Sequence, residues 1–453
     1  MGHHLITEVA QEKYTFNGKS KLIAIILIVL GIALAGFGSM QVKENWGGAH
    51  DTEAVSHDDA TAHEAEQAHG EEASHGEEAA ASHGHEKSWT SRLWANLLMN
   101  SYYFLLFAVG ALFFIAVNYV ANAGWATMIK RISEAITAYV GIGIVALVAV
   151  VYMAKDQLYH WLEYFSHGYT SADAGYDRIL ESKSWFLNSN ILFIVFPIVL
   201  VVWYFFRWKF RSNSIKEDAQ GGLSFFRNST RWSAAFIFIF AFTFSAIAWL
   251  IIMSIDAHWY STMFSVYNFA VSFVTGLTVM MMFLLYLKSK GYMEMVSDEV
   301  VHDLGKFMFA FSIFWGYIFL GQWLLIWYAN IPEEVVYFNA RFQDGYTTLF
   351  YVNIIMCFVL PFLILMMRNA KRSPLVLTVA GSIILVGHWI DMYLMVMPGT
   401  VGKNGGIGLL EIGTTMAFAG VFIYVVLYSL SKANLYTTNH PYFLESANHD
   451  VGP

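Results

Sequence analysis

Ten long apolar runs punctuate this chain, and runs of that length leave few architectures open. A helix rising 1.5 Å per residue needs about 20 apolar residues to cross a hydrocarbon core roughly 30 Å thick. Membrane-spanning helices are therefore expected near 20–40, 92–119, 126–153, 187–208, 231–255, 262–288, 305–329, 346–368, 374–397 and 409–431. In lipid every backbone polar group needs an internal partner, which makes helices of runs this long. Barrel strands would be shorter and would alternate, and nothing here alternates. Hydrophobic residues make up 57% of the chain and charged residues 13%, far from the balance of a soluble domain.

The inner eight runs read as two copies of one four-helix unit. Ser101, Tyr103 and Pro197 meet Ser265, Tyr267 and Pro361 at a constant offset. NSNILFIVFPIVLVVWYFFRWKFR (188–211) and YVNIIMCFVLPFLILMMRNAKR (351–372) both pass through a proline and stop in a basic cluster. Trp249 and Trp389 mark comparable points of the fifth and ninth runs. Four helices make an even number of crossings, so both copies face the same way, related by an axis along the membrane normal. The expected fold is all-α integral membrane: ten transmembrane helices, two tandem four-helix bundles plus a peripheral helix at each end. The divisions are 1–41, an N-terminus and first helix; 42–91, an outer loop; 92–255 and 256–397, the bundles; and 398–453, the last helix and tail.

Cations set the orientation. With a cytoplasmic N-terminus, 18 of the 26 Lys and Arg residues fall on cytoplasmic segments, so both termini are expected in the cytoplasm. The first run has a basic lead-in and no small-x-small cleavage site after it, and reads as a retained helix. The single cysteine, Cys357, lies in the eighth run, and there is no C-x-x-C-H. Only His388 lies deep in a span, so no facing histidine pair suits a membrane haem. No redox centre is expected on this chain.

Residues 50–86 form one long loop in which His57, His63, His69 and His75 recur among acidic side chains. It reads either as a loose Zn or Cu site or proton-buffering fringe, or as a solvated acidic loop, which the composition favours. GKNGGIG (402–408) follows a membrane helix rather than a strand, so it reads as a turn and not as a phosphate cradle.

Ionisable groups inside spans cost roughly 2.5–3.5 kcal/mol each on insertion scales and tend to mark a pathway or ligand site. Here they form two tiers. The inner tier is Glu134 on the third run with His302, Asp303 and Lys306 opening the seventh, extended by Asn118 and Asn122. The outer tier is His388 and Asp391 on one face of the ninth run, Asp256 and His258 ending the fifth, Glu411 opening the tenth and Gln322. These are the proton-pathway candidates. Plainer readings stand beside them: a rim ion pair for Asp303 and Lys306, interfacial positions for His258 and Glu411, and a Glu134 that reaches back to Lys130.

SIDAHWYSTMFSVYNFAVSF (254–273), HDLGKFMFAFSIFWGYIFLGQWLLIWYANIPEE (302–334) and GHWIDMYLMVMPG (387–399) resemble the NrfD-like membrane subunits, akin to the polysulfide reductase membrane anchor. The likeness covers residues 20 to about 432 and is nearer to the two such subunits of alternative complex III, a bacterial quinol:electron-acceptor oxidoreductase. The outer run around 256–264 and the insert after the first helix favour the second of the two. The resemblance implies a non-redox subunit in a bacterial cytoplasmic membrane, not catalytic alone, contributing proton half-channels and a quinol pocket. Haem c and iron–sulfur clusters would sit on partners: an iron–sulfur subunit, and multi-haem and mono-haem cytochrome c subunits. A second NrfD-like subunit, small membrane subunits and a terminal oxidase complete the implied partners, with no nucleic acid. Two other classes remain open, a secondary transporter and a purely structural anchor of a redox complex.

Overall fold

The structure, a computed structural model, describes residues 11–46 and 88–449, apart from 170, 172, 174, 344 and 438. The histidine-rich loop, with His57, His63, His69 and His75, lies outside the described residues. The described residues form an all-α protein with ten helices long and apolar enough to cross a membrane. Spans one to five are Gly18–Asn45, Trp89–Val120, Gly124–Leu158, Ile191–Gln220 and Leu223–Asp256. Spans six to ten are Met263–Ser289, Asp298–Ala329, Tyr346–Leu365, Pro374–Asn404 and Leu409–Leu430. The chain is a multi-pass membrane protein.

Several spans run past the bounds that hydropathy sets. Span seven begins at Asp298 rather than near 305, because Ser297 caps it by accepting the Val300 amide and two acids occupy its first turn. Spans four and five extend through polar, basic stretches to Gln220 and from Leu223.

Spans two and six are the most buried and cross at the centre of the molecule. A side chain at Gly110 would bring its Cβ within 2.1 Å of the Ser272 carbonyl oxygen, so only glycine allows this approach. The Ser272 hydroxyl donates to the Leu106 carbonyl across the same crossing at 2.8 Å. Spans three and five pack on span two as spans seven and nine pack on span six, and span four joins span five as span eight joins span nine. A π-helical turn, Ile191–Val195 or Ile355–Val359, precedes each of Pro197 and Pro361. Proline has no N–H to give the preceding turn, and the wider turn absorbs that loss.

Spans one and ten pair outside this core. Ala24, Gly31 and Gly38 are buried at seven-residue spacing on span one, against Gly413 and Gly420 on span ten. A Cβ at Gly31 would lie 2.4 Å from the Ala417 amide nitrogen, so the two backbones are in contact. The chain after span ten crosses the basic end of the molecule. Leu435 donates its amide to the Glu12 carbonyl at 2.8 Å, Ser446 bonds the Met128 amide and the Trp125 carbonyl, and His449 reaches Asp303.

Candidate functional site

Asp391, on span nine, sits inside the second bundle and is 1% exposed. A lone ionised carboxylate in that position would carry a large desolvation cost, and hydrogen bonds from the surrounding helices offset it. Span six presents the Tyr267 hydroxyl to Oδ1, and span eight presents the Asn353 amide to the same oxygen at 2.9 Å. Span seven presents the Trp315 indole N–H to Oδ2 at 3.0 Å. All four helices of the bundle thus converge on one carboxyl group. His388, one turn away and fully buried, holds Nδ1 3.5 Å from Asp391 Oδ2, with its ring edge-on to Trp315. Neither ring nitrogen of His388 has a hydrogen-bond partner among the described residues.

A cavity of about 20 Å³ adjoins Asp391 and Asn353, large enough for one water molecule. Gln322, Tyr337 and Arg341 also line it. Arg341 is buried and extends from the connection between spans seven and eight. Its Nη2 donates to Asp256 Oδ2 at 3.1 Å and to the Met395 carbonyl at 3.2 Å, and Nε donates to the Leu394 carbonyl at 3.0 Å. The guanidinium lies 3.3 Å from the Tyr337 ring centre, and Trp259 stacks on that ring. Burial raises the Tyr337 phenol to about 12, so it stays protonated across the physiological range. Asp391, the cavity, Arg341 and the partly exposed Asp256 therefore form one polar series running toward the end of the bundle where span five meets span six.

The remaining outer-tier residues lie elsewhere. His258 is exposed and pairs with Asp177, whose carboxyl it holds below its usual range against the opposing effect of burial. Glu411 is a clamp: it receives Arg92 Nε at 2.8 Å and Asn96 at 3.0 Å, and caps its own helix through the Gly408 amide. Gln322 donates to the Ser261 hydroxyl.

The inner tier divides into two separate networks. Glu134 is buried on span three and does not reach back to Lys130 as its main partner. Arg131 Nη1 meets its Oε2 at 2.6 Å and Arg211 of span four meets the same oxygen, while Lys130 Nζ stands 4.0 Å from Oε1. Lys130 turns to Glu217 at 3.2 Å, and Arg131 also holds Asp218. Three cations and three carboxylates alternate between spans three and four. Asn118 lines an adjacent cavity of about 30 Å³ with Lys130, Ser133 and His440. Asn122 takes a positive φ of 51° in the turn that follows span two and stands outside this lining. In the second bundle Asp303 pairs with Lys306 at 2.5 Å, as the rim reading expects, and its other oxygen meets His449 Nε2 at 2.8 Å. His302 is 3.9 Å from Glu299, which also binds Arg372.

Arg341, Asn353 and Trp315 were not among the residues singled out by sequence, nor were Arg131, Arg211, Glu217 and His440. The signal available for Arg341 was the lone cation of its connection, placed just after a short helix, Pro332–Asn339, that opens with two glutamates. Among the described residues, no group of three or more His, Cys, Asp or Glu is placed to hold a metal ion. Compared with models of protein families and with curated proteins, the chain has no match in either set.

Proposed function

We propose that this chain is a non-redox membrane subunit of a quinol-oxidising respiratory complex, of the kind found as the ActF-type subunit of alternative complex III, and that it moves protons through its second bundle. The observation that carries the reading is Asp391, buried among donors from three other helices beside a water-sized cavity that leads to Arg341 and Asp256. In this reading Asp391 and His388 exchange a proton, the single water relays it, and Asp256 delivers it at the outer surface. The subunit lies in a bacterial cytoplasmic membrane with both termini inside. Electrons travel on partner iron–sulfur and cytochrome c subunits, and quinol is oxidised within the complex.

On the inner side a structural reading has its own support. The alternation of three cations with three carboxylates around Glu134 neutralises the cluster and ties span three to span four. Reconstitution of the assembled complex in proteoliposomes tests both. Asp391→Asn is expected to leave assembly intact and to lower quinol turnover or its proton yield. Glu134→Gln lowers the same quantities if the inner cluster conducts, and lowers only thermal stability if it is a lock. Full turnover and unchanged proton yield in both assembled variants would overturn the proton reading in favour of a structural anchor.

A further inference from the structure

A third cavity has nothing to do with the Asp391 series. It measures about 650 Å³ and lies between the span one–span ten pair and spans two, six and nine. Its walls are almost wholly apolar, with Phe104, Phe107, Phe283 and Phe422 prominent. Along span ten it extends from Ile412 to Leu427, about 22 Å at the rise of an α-helix. It is therefore long and narrow and lies at bilayer depth. Water has no partners on such walls, and an empty space of this size would forfeit the dispersion contacts of its whole lining. A helix of the same length, about 10 Å across, would need roughly 1,700 Å³, so the space suits a flexible hydrocarbon chain.

The two ends differ in what they offer a head group. At the outer end the polar atoms are already engaged: Tyr103 donates to the Leu385 carbonyl at 2.6 Å and Trp389 to the Thr415 hydroxyl at 2.8 Å. At the inner end the Ser20 and Tyr286 hydroxyls meet at 3.0 Å, joined by Tyr14. Lys21 follows Ser20 in the chain with its ammonium over the Phe16 ring, and the Lys290 ammonium stands over the Tyr286 ring; both lysines are exposed, and neither has a carboxylate partner among the described residues. A quinone ring would find no unengaged donor at the outer end, whereas a phosphate would find two cations at the inner one. We propose that this cavity is a binding site for one acyl chain of an anionic phospholipid, with its phosphate held by Lys21 and Lys290. The lipid would fill the gap between the end helices and the bundles. The proposal is independent of the quinol and proton readings.

Photolabelling tests it. The full chain, reconstituted in vesicles of phosphatidylcholine and phosphatidylglycerol, is labelled by a trace of phosphatidylglycerol that carries a diazirine midway along one chain. Labelling is expected on the peptides holding Val279–Tyr286 and Met416–Leu427, several-fold above the lipid-exposed Phe238–Phe242 segment. Ala419→Trp, which fills the cavity, and the pair Lys21→Gln with Lys290→Gln should each bring the signal to the level of that segment. Labelling that starts at that level, or that ignores these substitutions, overturns the proposal. So does labelling displaced by a long-chain quinone and not by unlabelled phosphatidylglycerol.

Discussion

The Asn353 side-chain amide donates to Asp391 Oδ1 at 2.9 Å, and its own carbonyl oxygen accepts from the Cys357 thiol at 3.0 Å. The orientation of the amide is therefore fixed from both ends, with the N–H side on the acid. Asn353→Leu keeps the branching of the side chain, is larger, and removes a donor from a buried carboxyl group. Such a loss costs about 1–3 kcal/mol, and more where the acceptor is charged. The expected outcome is a lower thermal midpoint in detergent. The double variant Asn353→Leu with Asp391→Asn should lose less than the sum of the two single changes, because the pair is coupled.

Arg341 holds one carboxylate and three backbone carbonyls, so its removal leaves several buried acceptors unsatisfied at once. Arg341→Gln is expected to destabilise the chain by about 2–4 kcal/mol. Arg341→Lys should recover only part of that, since one ammonium cannot reproduce the fork of the guanidinium. Asp256→Asn removes the outermost partner alone, and its effect in the same melting assay should be the smallest of the three.

The contact between spans one and ten has an internal control. A Cβ at Gly31 would strike the Ala417 backbone, whereas a Cβ at Gly36 meets nothing within 4 Å. Gly31→Leu should therefore separate the two helices or strain them by about 1–3 kcal/mol, and Gly36→Leu should be neutral. Protease access to the connection between span one and span two reports the difference.

His440, on the chain that follows span ten, is buried between Tyr119 and Phe226 and lines the inner cavity. Burial, helped by Lys130 and Arg131 and opposed by Glu134, pushes its pKa down from 6.5 to about 2. The docked segment thus holds a neutral imidazole, and the released segment protonates below 6.5. Docking is complete above that value and weakens as pH falls toward the lowered one, by about 1.4 kcal/mol per unit. Proteolysis of residues 432–449 should accelerate between pH 6.5 and 5, and His440→Gln should flatten the profile. That variant leaves the His449–Asp303 contact in place, so its difference from the parent isolates His440.

The number and rough placement of the spans could be read from the chain because bilayer thickness and helical rise leave little freedom. Their ends could not, since helix caps and rim charges carry the helices past the apolar runs, as Ser297 does for span seven. Asp391 and His388 stood out as ionisable groups in mid-span. Their surroundings did not, because a tyrosine, a tryptophan and an asparagine on three different helices have no local pattern that ties them together. Arg131 and Arg211 counted toward orientation as rim cations, and only the packing of spans three and four turns them inward onto Glu134. The glycines at seven-residue spacing on span one were legible in principle, but an apolar run conceals a small-residue stripe unless its partner helix is known.

The π-helical turn at Ile355–Val359 separates Asn353 from Pro361. One residue of an α-helix corresponds to about 100° of rotation. Span eight is thus wound in two phases, one set by the packing below the turn and one that aims Asn353 at the acid. Deleting a single residue within 355–359 would restore regular winding without altering hydropathy, and would swing Asn353 away from Asp391. The chemical environment of the buried acid depends on how many residues span eight contains as much as on which residues they are.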